Sequence, residues 1–412
     1  TVTAHLSRGE RPRLVARLTR IFGPAHLSLA EDAVQEAFVA ALETWGTRGV
    51  PDEPAAWLLT VARNRALDRL RRGALFAALE PKVADWASAL QDRAAPGDCG
   101  PFGDDELSMI ALCCHPQLPE EARLALTLKV VCGFSVEEIA RAFLTNPETV
   151  AQRIVRAKAR IRDLGLSLDM PAAPAMHERI PSVLRTIYLL FNEGYAASGG
   201  ETLIRHEICA EALRLAEIVA HHPVSCTPEA EALAALLCFQ HSRRAARIAG
   251  DGSPVLLADQ DRALWDRRLI ARGFEHLSRA RAGDTLTALH IEAGAASIHA
   301  AARSWAETNW PQLKSYYDML TEVAPSPVVS LNRAIAVAMV DGADAALRGI
   351  EHLARDPVVA KYVPFHMAIG DLELQRGRRQ VARAAYETAL SLPISEAERR
   401  LIHRKIAACA DA

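Results

Sequence analysis

Helix starts are written into this sequence three times. Ser28-Leu29-Ala30-Glu31, Ser135-Val136-Glu137-Glu138 and Thr145-Asn146-Pro147-Glu148 each set a hydroxyl three residues ahead of a carboxylate. At that spacing the two side chains satisfy orphan backbone donors of a first helical turn. Apolar residues then recur every three or four positions: Val34, Phe38, Leu42 and Trp45 behind the first start, Ile139-Ala140 behind the second, and Val150/Ala151, Ile154 and Ile161 behind the third. Such stripes bury one helix face and leave the other wet. Composition points the same way. Half of the 412 residues are hydrophobic but only 5% are aromatic, and an apolar content rich in Ala and Leu favours helix interiors over pleated strands. The expected fold class is all-α.

Turn-rich stretches divide the chain. Pro96-Gly97-Asp98-Cys99-Gly100-Pro101-Phe102-Gly103 cannot propagate a helix, and a second break runs from Gly165 to Pro181 with Pro171 and Pro174 inside it. The expected layout is a helical domain at 1–73, a linker at 74–103, a helix-turn-helix domain at 104–165, a linker at 166–180, and a long Ala-rich helical region at 181–412. A length of 412 residues suits two or three such domains.

Positive charge is local. Pro54 opens a helix whose buried stripe is Leu58, Val61/Ala62, Ala66 and Leu70. Its other faces carry Arg63, Asn64, Arg65, Asp68, Arg69, Arg71 and Arg72. In the second domain, a helix through Glu121–Lys129 stops at Cys132-Gly133, and two more helices follow from Ser135 and Thr145, the second reaching about Asp163. This is a helix-turn-helix, with Thr149, Gln152, Arg153, Arg156 and Arg160 on one outward face. Arginines there hold phosphates, and Gln and Thr read base edges. A basic helix face is also a common solvated surface, and helix-turn-helix geometry occurs outside DNA binding. The whole chain carries 48 basic and 50 acidic residues. Residues 1–165 balance at 21 of each, which argues against a high-affinity binder acting alone.

The order of these parts resembles the bacterial RNA polymerase sigma factors of the extracytoplasmic-function class. The matching stretches are Ala30–Phe38, Trp57–Arg72 and the helix-turn-helix at 135–162. The resemblance implies that Asp32, Gln35, Glu36 and Phe38 engage or support a contact with the core polymerase clamp. It implies that the loop Trp45–Glu53, with Arg48, takes an unstacked base, and that Asn64, Arg65, Asp68, Arg69 and Arg72 lie on the helix facing the -10 element. Thr149, Gln152, Arg153, Arg156 and Arg160 would read the -35 element. Capture of single-stranded bases beside a cationic surface is what strand opening requires.

The rest of the chain is similar to a subgroup with a TPR-like helical extension, through Asp104-Asp105-Glu106-Leu107, Cys113-Cys114-His115-Pro116, Ile187–Tyr195, Asp259-Gln260-Asp261-Arg262 with Trp265-Asp266, and Pro325–Ala334. Asp341-Gly342-Ala343 stands where that subgroup has Asp-Gly-Pro. Gly370, Gly377, Ala382, Tyr386, Ala389 and Pro393 fall near TPR positions, with small residues where helices approach closely. Stacked hairpins leave a concave face suited to a protein or peptide; a purely structural brace is the alternative. Asn192, Glu193 and Tyr195 form the most unusual polar cluster, readable as a hydrogen-bond network within the extension, an interdomain contact to the sigma domains, or a ligand site.

Enzyme and metal signatures are weak. Cys113-Cys114-His115 offers thiolate and imidazole, but no second pair completes a zinc tetrahedron, so core thiols are expected. His206-Glu207-Ile208-Cys209-Ala210 lacks the second histidine of a metalloprotease helix, and His221-His222 before Pro223 reads as a helix end. No catalytic residue, metal ligand set or cofactor is expected. The eight cysteines have no framework spacing, which suits a reducing cytoplasm. The chain opens on Thr1, so a few residues are expected to precede it, and neither a signal layout nor a membrane-length apolar run is present. The expectation is a cytoplasmic sigma factor that binds core RNA polymerase and promoter DNA and is regulated by its own extension. The alternative is a ligand- or peptide-controlled helix-turn-helix regulator acting without polymerase.

Overall fold

The computed structural model describes residues 2–72, 102–143, 145–168, 173–195, 202–250, 252–356 and 359–409. Among them every regular element is helical, and the sole β feature is an isolated bridge between Ile248 and Pro254. The expected linker lies outside the described residues as far as Pro101. The chain divides into two compact units, Thr1–Glu193 with His221–Ser225, and Gly194–Ala220 with Cys226–Ala412.

The first unit begins with α1 (Val2–Phe22), α2 (Leu27–Arg48) and α3 (Pro54–Arg72). The buried face of α2 is Ala30, Ala33, Val34, Ala37, Ala41 and Trp45, not the stripe through Phe38 and Leu42. Leu42 is 61% exposed. Helical spacing is kept, but alanines occupy the face pressed by α1 and α3, because small side chains let helices approach closely. The first expected capping box is also absent. A 3-10 turn at Pro24–His26 delivers the backbone into α2 already helical, so Ser28 lies inside the first turn and no side chain caps it.

The unit continues with α4 (Phe102–Cys113), α5 (Glu120–Leu126), a π-helical turn at Thr127–Val131, α6 (Val136–Ala142) and α7 (Pro147–Asp163). Gly133 makes the turn at φ 74°, a conformation other residues resist. The second capping box forms as expected: the Ser135 N–H donates to Glu138 Oε2 at 2.7 Å and the Glu138 N–H to Ser135 Oγ at 3.1 Å. At the third start Asn146, rather than Thr145, is the cap. Its Oδ1 accepts the Thr149 N–H at 2.7 Å, and Pro147 occupies the first turn.

α8 (Ala173–Tyr195) carries Pro181 in its interior, so part of the expected linker is already helix. It packs on this same unit. Ser182 Oγ donates to the Cys114 carbonyl at 2.5 Å and receives Arg123, while Arg185 Nε meets Glu120 at 3.2 Å.

The second unit is a succession of helices: α9 (Thr202–His221), α10 (Pro228–Ser242), α11 (Arg267–Ala280), α12 (Ala288–Ala301), α13 (Trp310–Val323), α14 (Pro327–Asp341), α15 (Ala343–Ile350), α16 (Val363–Gln375), α17 (Arg379–Ser391) and α18 (Glu396–Ala408). From α10 onward each packs on the next, as in stacked hairpins. α10 is buried almost throughout, from Ala230 to Phe239. Close approach is clearest at α16 and α17, where a Cβ on Gly370 would sit 2.3 Å from the Tyr386 ring. Tyr386 is fully buried, and its hydroxyl donates to Asp371 Oδ1 at 2.5 Å.

Candidate nucleic-acid interface

On α7, Val150, Ile154, Ala157 and Ile161 face the core. That leaves Gln152, Arg156 and Arg160 exposed. Thr149 is half-buried, its N–H held by Asn146. Arg153 is half-buried and pairs with Glu121 of α5 at 2.6 Å. The outward face is therefore graded: Gln152, Arg156 and Arg160 stand in solvent, while Arg153 already has a carboxylate.

On α3, Asn64, Arg65, Asp68 and Arg69 are exposed; the Arg72 side chain lies outside the described residues. Arg69 reaches across to α2, to Asp32 Oδ2 at 2.8 Å and to Glu36. The two carboxylates raise the guanidinium further above its ordinary value. Residues read separately as polymerase-facing and DNA-facing are thus joined in one ion-pair fork. Gln35 is exposed and Phe38 half-buried on the same helix. Arg48 is exposed at the end of α2, where Gly49 turns the chain. Trp45 does not belong to a base-capturing loop. It is buried inside α2, its ring 5.5 Å from that of Trp57, because the helix runs on to Arg48 and turns its last large apolar side chain into the core.

The α1–α3 and α4–α7 segments meet within the first unit. Lys158 of α7 donates to Glu31 and, at 3.3 Å, to Ser28 Oγ of α2. Arg20 of α1 pairs with Asp105 of α4 and approaches Ser108 Oγ at 3.4 Å. The residues that spell a capping box in α2 therefore serve as a lysine receptor. Glu31 is only 8% exposed, and Lys129, half-buried beside it, is held below its ordinary value by desolvation. Sequence reasoning did not single out Lys158, Arg20 or Ser182. One signal existed: Lys158 lies four residues past the core position Ile154, at the edge of the buried stripe.

Cys113 and Cys114 are fully buried, and burial pushes both thiols up. His115 is also buried, and its Nδ1 accepts the Gln117 N–H at 3.2 Å in the turn that follows α4. The cluster is core. Asn192 and Glu193 are exposed. The Tyr195 hydroxyl donates to Gln240 Oε1 at 2.9 Å, and Arg247 stacks 3.4 Å above the Tyr195 ring. Among the described residues no helix is long and apolar enough to cross a membrane.

Two helical segments, the second a helix-turn-helix with a cationic outward face, form an arrangement that DNA-reading proteins use. Residues 6–75 match sigma-70 region 2, residues 108–161 match sigma-70 region 4, and residues 179–281 match a family of unknown function, DUF6596. The chain is 38% identical over 402 residues to an uncharacterized protein of Rhizobium meliloti strain 1021, covering 96% of this chain and 93% of the relative. It is 30% identical over 152 residues to the RNA polymerase sigma factor CarQ of Myxococcus xanthus, 35% of this chain and 80% of CarQ. It is 32% identical over 136 residues to the ECF RNA polymerase sigma-E factor of Escherichia coli K12, 32% of this chain and 70% of that factor. No solved structure matches significantly. The chain belongs to the sigma-70-like sigma factors of the extracytoplasmic-function class, with a helical extension that includes a DUF6596 region.

Proposed function

We propose that this chain binds core RNA polymerase, directs it to a promoter with -35 and -10 elements, and helps to open the -10 region. The observation that carries the reading is the pair of sigma-70 matches in order, with Gln152, Arg156 and Arg160 in solvent on the second helix of the helix-turn-helix. Arg65, Asn64 and Arg48 supply polar groups and positive charge on the first segment for the -10 strand, with Asp68 beside them and Arg72 at the end of the same helix. Asp32, Gln35, Glu36 and Phe38 contact or support the polymerase clamp.

The Lys158–Glu31 and Arg20–Asp105 pairs hold the two sigma segments together. Polymerase and promoter then act on a closed arrangement and separate its halves. The extension regulates this through α8, whose Ser182 and Arg185 brace the second sigma segment. A protein or peptide on the hairpin stack is the corresponding partner surface.

The test is transcription in vitro with core polymerase. Promoter-specific transcripts are expected, and Arg156→Ala with Arg160→Ala should lower them on -35-dependent templates. Binding to duplex promoter by the chain alone, with nothing added to core polymerase, would favour the free-standing regulator. Truncation after residue 170 reads the extension: a gain in transcripts means restraint, and a loss means support.

A further inference from the structure

We propose that the extension binds a zinc-class divalent transition-metal ion between Glu217 of α9, Cys238 of α10 and His276 of α11. One donor atom from each lies within 4.8 Å of the other two. Cys238 and His276 are buried and Glu217 is half-buried. Positions 217, 238 and 276 carry no motif spacing in the sequence; only the packing of three helices joins them.

The histidine is already oriented for a metal. His276 Nδ1 lies 2.5 Å from Glu231 Oε2. A carboxylate accepts and does not donate, so Nδ1 carries a proton, which leaves Nε2 as the nitrogen that can bind an ion. Nε2 faces Glu217, 3.9 Å from Oε1. Arg279 Nε fixes Glu231 from the other side at 2.9 Å. Its Nη2 also comes 3.1 Å from Nδ1, but both groups are donors, and they meet there because both converge on Glu231. A carboxylate behind an imidazole is the usual outer shell of a metal-binding histidine.

The donor set selects the ion. Thiolate, imidazole and carboxylate suit zinc and its first-row neighbours rather than calcium or magnesium. Bonds of about 2.0–2.3 Å in a tetrahedron place donors about 3.4–3.7 Å apart, so the side chains need close in by only about 1 Å. Water takes the fourth position. An ordinary cysteine is a thiol at neutral pH, so Cys238 enters the site protonated. The ion forms a bond to sulfur as the S–H bond breaks, and the proton leaves to solvent. Arg272 is the built-in competitor. It pairs with Glu217, and its side chain is 45% exposed, so it can swing into solvent when the ion arrives.

The experiment titrates chelator-treated full-length protein with Co2+ and then Zn2+. We expect one ion per chain, a thiolate-to-cobalt charge-transfer absorption, and release of the thiol proton. Cys238→Ser should abolish that absorption, and Cys226→Ser, at the exposed thiol, should leave it intact. Glu217→Gln should weaken binding by about tenfold or more, and Arg272→Ala should tighten it severalfold. Circular dichroism checks each variant's fold. If Cys238→Ser does not fold, the Glu217 and Arg272 variants decide alone. Absence of the absorption, its dependence on Cys226, or affinities unchanged in both Glu217→Gln and Arg272→Ala would overturn the site.

Discussion

Both units have apolar cores and ion pairs between helices, and they differ in what marks particular helix contacts. In the sigma unit, the contact between its two segments is marked by charged pairs, Lys158–Glu31 and Arg20–Asp105. In the extension, neighbouring helices interlock through small residues and rings, as Gly370 does with Tyr386 and Gly294 with Tyr316. Ion pairs can trade partners when another charged surface arrives, whereas a ring seated against a glycine has no alternative seat. The contact between the sigma segments therefore includes links that can be exchanged, and the α16–α17 contact includes one that cannot.

The strongest challenge to that contrast is Tyr386→Ala. Removing a fully buried ring should cost about 3–5 kcal/mol, read as earlier thermal unfolding and as lost hydrogen-exchange protection in α16–α18. Protection in α1–α3 should not change; a parallel loss there would erase the distinction.

Acid should come next. Burial holds His241 down to about 4 and His299 down to about 3, and also lowers His206. The unfolded chain therefore takes up these protons first, near pH 6.5. Stability is complete above that value and falls as pH drops towards the folded values, by about 1.4 kcal/mol per pH unit for each titrating histidine. Between pH 7.5 and 5.5, protection factors, taken relative to the intrinsic exchange rate at each pH, should fall more in the extension than in the sigma unit. There His115 is the described histidine lowered by burial.

Lys158→Met should cost about 2 kcal/mol, because it strands the nearly buried Glu31 carboxylate, and Glu31→Gln in the same chain should recover part of it. Exchange in α2 and α7 reads both. Arg69→Ala should be the mildest, under about 1 kcal/mol by denaturant unfolding, since its fork with Asp32 and Glu36 is solvent-exposed.

Much of this molecule was legible in its sequence. Helix periodicity, the Ser135–Glu138 box and the core stripe of α7 followed from local spacing. So did the small residues around Tyr386. The errors occurred where tertiary packing overrode local pattern. Ser28 and Glu31 had the right spacing for a cap but were taken by a lysine 127 residues away from Glu31. Leu42 was the larger apolar side chain, yet the tight face of α2 went to alanines. Trp45 was expected both on the buried stripe, from its spacing, and in the loop to Glu53, from the resemblance; the helix runs on to Arg48 and Trp45 lies on the buried face. The candidate DNA-facing side chains were legible by identity and face, while the pairing of Arg69 with Asp32 and Glu36 was not. Charge partners across helices depend on packing angles that no single-helix pattern encodes.

That fork has a thermodynamic consequence. Arg69 can neutralise Asp32 and Glu36, or it can neutralise a phosphate, but one guanidinium does not serve both fully. A partner that draws the two carboxylates away releases a cation on the neighbouring helix, and an anion that captures the cation releases the two carboxylates. Affinities on the two sides of the helix pair are then linked, each raising the other by the same factor.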